Sequence, residues 1–146
     1  MNKIKWCLQQ KSGIMLVEPN NNTYKAYLLE ADDSLVAMER NVGTWKVVTA
    51  YYAGYSALYA LLQKAGIKCE IHDCTLLLMI FFGFTEDEIV FLQQLKKDRT
   101  DSQYYLKKVK EPDTVKIKSF VLHCKMLGQK LNYDAISKIR GLVKND

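Results

Sequence analysis

A chain of 146 residues with 49% hydrophobic and 25% charged residues is long enough for one domain with a real core, and its composition is ordinary for a soluble globular chain. Its most apolar run, Thr75 to Phe84, falls well short of the roughly 20 residues that span a bilayer, and MNKIKWCLQQK lacks the apolar run of a signal peptide. A soluble, cytoplasmic protein with no membrane partner is expected. The net charge of +5 is unevenly spread: residues 1–95 hold 8 basic against 10 acidic residues, and residues 96–146 hold 13 against 6. A basic C-terminal half suits a phosphate-bearing partner, although lysines on the solvent faces of amphipathic helices give the same count.

In chain order, Lys3 to Gln10 predicts a short helix, and GIMLVEP (Gly13 to Pro19) an extended or irregular arm. Pro19 and Asn20 to Asn22 mark a break and a helix start. Tyr24, Tyr27, Leu28, Ala31, Leu35 and Met38 recur at spacings of three and four, which predicts an amphipathic helix over about Thr23 to Arg40. The stretch Thr44 to Gly66 is the centre of the chain. It has one charge between Trp45 and Leu62, Lys46, and apolar or aromatic residues all round the helical wheel. A helix of that kind is buried on most sides. Small residues such as Ala50, Ala53, Gly54 and Ala57 admit close neighbours, and Gly66 suits a left-handed cap. Tyr51, Tyr52, Tyr55 and Tyr59 lie on this helix, and each buried phenol needs a hydrogen-bond partner.

After Gly66 the sequence IKCEIHDC reads as a loop, with Asp73 or His72 capping a third helix through about Ile80 or Phe82. Thr85 to Glu88 is a capping box. It opens a long helix whose apolar stripe fades through KKDRTDSQYYLKKVK and which is expected to end at Pro112. Asp113 caps a further helix through about Leu131, and Ala135 to Val143 form a short terminal one. The expected fold is an all-α, up-and-down four- to five-helix bundle with short accessory terminal helices. Residues 1–146 form a single domain in this reading: an N-terminal arm over 1–20, a core bundle over 21–131 and a C-terminal helix over 133–144.

Cys7, Cys69, Cys74 and Cys124 read as reduced, mostly buried thiols, since nothing points to secretion. Cys69, His72 and Cys74 lie close together, but their spacing matches no zinc module, and no metal or cofactor is expected. Phosphate loops, nucleophile elbows and H-E-x-x-H motifs are absent. His123, in FVLHCKML, reads as a satisfied core or boundary histidine, and His72 as a cap or loop residue. The segment Lys96-Lys97-Asp98-Arg99-Thr100-Asp101-Ser102-Gln103-Tyr104-Tyr105, followed by Lys107, Lys108 and Lys110, interleaves cations and phenols. Arg clamps phosphate bidentately, and Tyr stacks on bases. From spacing alone, an exposed helix in which Asp98 and Asp101 neutralise their neighbours carries more weight.

The pattern TAYYAGYSALYALLQKAGIKCEIHDC, the long helix before it and the segment Arg99-x-x-x-x-Tyr104-Tyr105 resemble the HEPN domain (higher eukaryotes and prokaryotes nucleotide-binding), closest to its small stand-alone archaeal and bacterial members. WCLQQKSGIMLVEPNNNTYKAYLLEA is similar to the same subgroup, and the resemblance covers about residues 5–130. It implies a helical bundle, usually homodimeric, often paired with a minimal nucleotidyltransferase as a toxin–antitoxin-like module. Many members are metal-independent ribonucleases that use an Arg and a His separated by four to six residues in a cleft between subunits. There the His takes the ribose 2′-hydroxyl proton and the Arg stabilises charge on phosphate.

Arg99 matches the family's Arg, and Tyr104 stands where the His would be. With an ordinary pKa of about 10, a Tyr is a poor base at pH 7. The expectation is therefore a nucleotide- or RNA-binding protein using Lys96, Arg99, Tyr104, Tyr105, Lys107 and Lys108. The alternatives are a ribonuclease toxin whose catalytic residues are Arg99 and Tyr104, and a non-catalytic interaction subunit. Some family toxins are silenced by nucleotide addition to a Tyr near this motif, which by position implicates Tyr104 and Tyr105. Five residues turn an ideal helix through about 500°, leaving the two side chains about 140° apart. Their convergence is expected to need a distorted helix or a second subunit.

Overall fold

The computed structural model describes residues 2–145. The chain folds as an all-α helical bundle with one small antiparallel ladder. The helices are α1 (Lys3–Gln9), α2 (Asn21–Arg40), α3 (Thr44–Ala65), α4 (His72–Leu77), α5 (Glu86–Tyr105), α6 (Thr114–Lys130) and α7 (Tyr133–Asn145). A 3-10 segment, Leu78–Phe82, continues α4. Among the described residues no helix is long and apolar enough to cross a membrane.

α3 is the central helix. From Ala53 to Leu62 every residue is buried, because α2, α5, α6 and α7 all pack against it. Gly54 fits α3 against α5, since a Cβ there would meet Leu92 at 2.9 Å. Gly66 closes the helix at φ 75°, where residues with a Cβ are strained. α7 secures that end from outside. Arg140 Nη1 donates to the carbonyls of Val17 (2.7 Å), Ala65 (3.1 Å) and Gly66 (2.7 Å), and so satisfies acceptors that a helix terminus leaves open.

The expected caps form where their chemistry places them. Asn20 Oδ1 accepts from the amides of Asn22 and Thr23. The Thr85–Glu88 box closes reciprocally, and Asp113 accepts from the Lys116 amide. Four expectations need correction. The loop expected after Gly66 is not wholly irregular, since Ile67–Lys68 (β2) pairs with Met15–Leu16 (β1) of the arm, which is extended there as expected. Neither His72 nor Asp73 caps α4; Ile71 holds the cap position without a side-chain bond.

α5 stops at Tyr105, well before Pro112. Leu106 takes a left-handed φ of 53°, and the amides of Leu106 and Lys107 both turn back to the Asp101 carbonyl, so Lys107 to Lys110 leave the helix. Finally, Cys7 and Cys74 are not free thiols. α1 lies on α4, and the two cysteines, 67 residues apart in sequence, are joined in a disulfide. Cys69 and Cys124 remain free and buried.

Candidate anion site around Arg99

The site is built on one row of α3. Tyr51, Tyr55 and Tyr59 recur every four residues and share a face of the helix; Tyr52 stands beside them. Each phenol has a partner, and the partners come from the loop before α4, from α4 itself and from α5. Tyr59 Oη accepts from the backbone amide of Cys69 (3.1 Å). Tyr55 Oη lies 3.2 Å from Thr75 Oγ1, and Tyr51 Oη lies 2.8 Å from His72 Nδ1. Tyr52 Oη accepts from Arg99 Nη1 at 3.0 Å. Burial pushes the Tyr51 and Tyr55 phenols well above their ordinary pKa. They stay protonated at working pH and cannot serve as bases.

Arg99 reaches into this row from α5. Its guanidinium carbon lies 4.9 Å from the Tyr51 ring centroid, 5.4 Å from Tyr52 and 5.7 Å from Tyr104. Arg99 and Tyr104 thus converge within one chain, on a regular helix. The long Arg side chain spans the angle that backbone geometry leaves between them.

The guanidinium lacks the usual counterion. Among the described residues no carboxylate lies within 4.0 Å of it. The nearby acids are engaged elsewhere: Asp73 with Lys96 (3.0 Å), Asp101 with Lys97 (2.8 Å), and Asp98 with the Gln94 amide (2.8 Å). The neutralising role expected of Asp101 holds for Lys97 but does not extend to Arg99. Arg99 Nε is buried without a hydrogen-bond partner, and so is Gln103 Oε1. A buried donor left unpaired costs about 1–3 kcal/mol, so the cluster is not an optimised structural ion pair.

His72 is the residue that sequence reasoning misplaced. Its ring stacks on Tyr55 with centroids 4.1 Å apart and planes 15° apart, and it meets Tyr52 edge-on at 6.3 Å. Burial first, then the charges of Arg99 and Lys96, hold its pKa below the ordinary histidine value; Asp73 acts in the opposite direction. The tyrosine row held a usable clue, because buried phenols demand partners and His72 is the nearest imidazole in sequence. His123, by contrast, sits where expected at a boundary, with Nδ1 2.5 Å from Glu88 Oε2.

The other expected residues are dispersed around this centre. Lys96 borders a groove of about 670 Å3 that is also lined by Lys3, Trp6, Asp73 and Thr100. Lys107 and Lys108 line a different cavity, of about 490 Å3, beside Gly43, Thr44 and Pro112. Tyr104 and Tyr105 are exposed, and Lys107 Nζ lies 5.8 Å from the Tyr105 ring. Among the described residues no cluster of His, Cys, Asp and Glu is suited to hold a metal ion.

No protein-family model matches the chain, and no curated protein matches it.

Proposed function

We propose that this chain binds a phosphate-bearing ligand, a nucleotide or single-stranded RNA, at Arg99. One observation carries the reading: among the described residues, a partly buried guanidinium surrounded by tyrosine rings has no carboxylate partner and has an unpartnered Nε donor. A phosphate would supply the missing counterion by charge-assisted hydrogen bonds. The exposed Tyr104 and Tyr105 rings offer stacking surfaces for bases. Lys96, Lys107 and Lys108 add longer-range attraction from two sides. The resemblance to HEPN domains extends this reading to a cytoplasmic homodimer working with a minimal nucleotidyltransferase in a toxin–antitoxin-like module.

The test is a titration of fluorescent single-stranded RNA and of nucleoside phosphates against the wild type and Arg99→Ala. Binding that is lost in Arg99→Ala and weakens with salt supports the reading. Undiminished binding in that variant contradicts it. Binding of no phosphate ligand, together with tight association with a co-encoded protein, points to an interaction subunit instead.

His72 favours a second reading, a metal-independent ribonuclease. Tyr104 is a poor replacement for the family's His, but an imidazole does stand in the Arg99 cluster, brought there by α4. In that reading His72 handles the ribose hydroxyl proton and Arg99 the phosphate charge. Cleavage of end-labelled RNA in EDTA by wild type, abolished in both Arg99→Ala and His72→Gln, supports it. Intact RNA after prolonged incubation leaves the binding reading alone.

A further inference from the structure

We propose that His72 is a second anion-binding group of this site, and that binding a phosphate at Arg99 draws a proton onto its imidazole. The inference rests on the reading of Arg99 as a phosphate-binding residue and adds to it a donor and a pH dependence.

The geometry leaves one pole of the ring available. Nδ1 is engaged by Tyr51 Oη at 2.8 Å, whereas Nε2 has no hydrogen-bond partner among the described residues. The buried, unpartnered side-chain atoms are Arg99 Nε and Gln103 Oε1, and Nε2 is not among them. The ring is oriented by its stack on Tyr55 and its edge contact with Tyr52. Arg99 packs over the faces of Tyr51 and Tyr52, the two residues that also hold the imidazole. One ligand near Arg99 is therefore near His72.

The charges around the ring set the direction of the coupling. α3 contributes three phenols, Tyr51, Tyr52 and Tyr55. α5 contributes two cations, Lys96 and Arg99. α4 itself contributes Asp73, which is already tied to Lys96 at 3.0 Å. Burial first, and then two positive charges against one negative charge, disfavour an imidazolium and hold its pKa below the ordinary histidine value. A phosphodiester on Arg99 brings the charges level, and an anion there favours the charged form of a neighbouring base. Tyr51 suits both states: its hydroxyl donates to neutral Nδ1 and accepts from a protonated one. Nε2–H then donates to the phosphate, and the proton is taken from solvent.

The consequence is affinity that rises as pH falls. At high pH His72 is neutral with or without ligand and contributes only a neutral donor. As pH drops through the pKa of the complex, the bound form gains a proton before the free form does, and binding tightens by about tenfold for each pKa unit between them. The probe is a short 2′-O-methyl oligouridylate without terminal phosphates, which is not cleavable by 2′-hydroxyl attack and whose phosphodiesters do not titrate near neutrality. Its affinity is measured by fluorescence anisotropy between about pH 5.5 and pH 8, the range in which histidine titrates.

Wild type and His123→Gln are expected to bind about tenfold more tightly at the acid end, and His72→Gln to show a flat profile. Calorimetry of wild type in buffers of different ionisation enthalpy is expected to show net proton uptake on binding, a readout that needs no variant to fold. Probe binding with a flat wild-type profile and no proton uptake overturns the inference while leaving the Arg99 reading intact. A slope that survives in folded His72→Gln, or disappears in His123→Gln, also overturns it. Absence of probe binding at every pH removes the Arg99 reading and this inference together.

Discussion

Two arginines in this molecule are used in opposite ways. Arg140 on α7 spends one nitrogen on three backbone carbonyls, at Val17, Ala65 and Gly66, and joins the arm, the end of α3 and the last helix. Arg99 on α5 makes one hydrogen bond to a phenol, lies among three tyrosine rings and keeps a buried Nε donor without a partner. Arg140 is satisfied by its own chain, which is what a structural clamp requires. Arg99 is only partly satisfied, and a partly buried, partly satisfied cation is stabilised further by an incoming anion. The contrast separates framework from site without any appeal to motifs.

The largest effect expected belongs to the framework. Loss of the Cys7–Cys74 disulfide opens a loop of 67 residues in the unfolded chain, which on loop entropy costs about 4 kcal/mol. Denaturant unfolding of a Cys7→Ser/Cys74→Ser variant should show that loss. Oligonucleotide affinity of the folded fraction should stay near wild type, since neither sulfur touches Arg99. Arg140→Ala should remove about 2–3 kcal/mol, the scale of charge-assisted hydrogen bonds to carbonyls left without a donor, and should likewise spare binding.

Arg99→Ala inverts the pattern. Stability should change by less than about 1 kcal/mol, because the lost contacts are one phenol bond and weak ring interactions offset by an unpaired donor. RNA affinity should fall about ten- to a hundredfold, the equivalent of a charge-assisted bond. An Arg99→Ala variant that unfolds as readily as Arg140→Ala would erase the distinction between the two.

The smallest effect is a pH dependence of stability from His72. Its folded pKa lies below the unfolded value of about 6.5, so below that pH the unfolded chain binds more protons. Stability is full above about pH 6.5 and declines as pH falls toward the folded pKa. The loss should be the smallest of these effects because the ring is only half-buried. Unfolding curves across this range should flatten in His72→Gln.

The framework was largely legible from local chemistry. Apolar residues on every side of Thr44 to Gly66 predict a central helix, and Asn20, Thr85–Glu88 and Asp113 predict their caps, because those signals act within one turn. The early end of α5 was not legible. Leu106 is a poor left-handed residue by propensity, and the turn back to Asp101 overrides it. The disulfide depends on α1 folding over α4, a tertiary event that the spacing of Cys7 and Cys74 does not encode. The site lay between these extremes. Arg99 and Tyr104 were visible as residue types in a basic stretch, and their contact follows from side-chain length. The place of His72 required knowing that α4 passes over the tyrosine row, and a short helix after a loop carries no periodicity that reveals its direction.

Arg99 and its aromatic surround are proposed as the phosphate-binding site. The most direct measurement is a nuclear magnetic resonance titration of 15N- and 13C-labelled protein with the 2′-O-methyl oligouridylate, following side-chain as well as amide signals. The largest shifts are expected at the Arg99 Nε–H, the Tyr51, Tyr52 and Tyr104 rings and the His72 imidazole. Shifts centred instead on Gly43, Thr44, Lys108 and Pro112, with the Arg99 Nε–H unmoved at saturation, would contradict it.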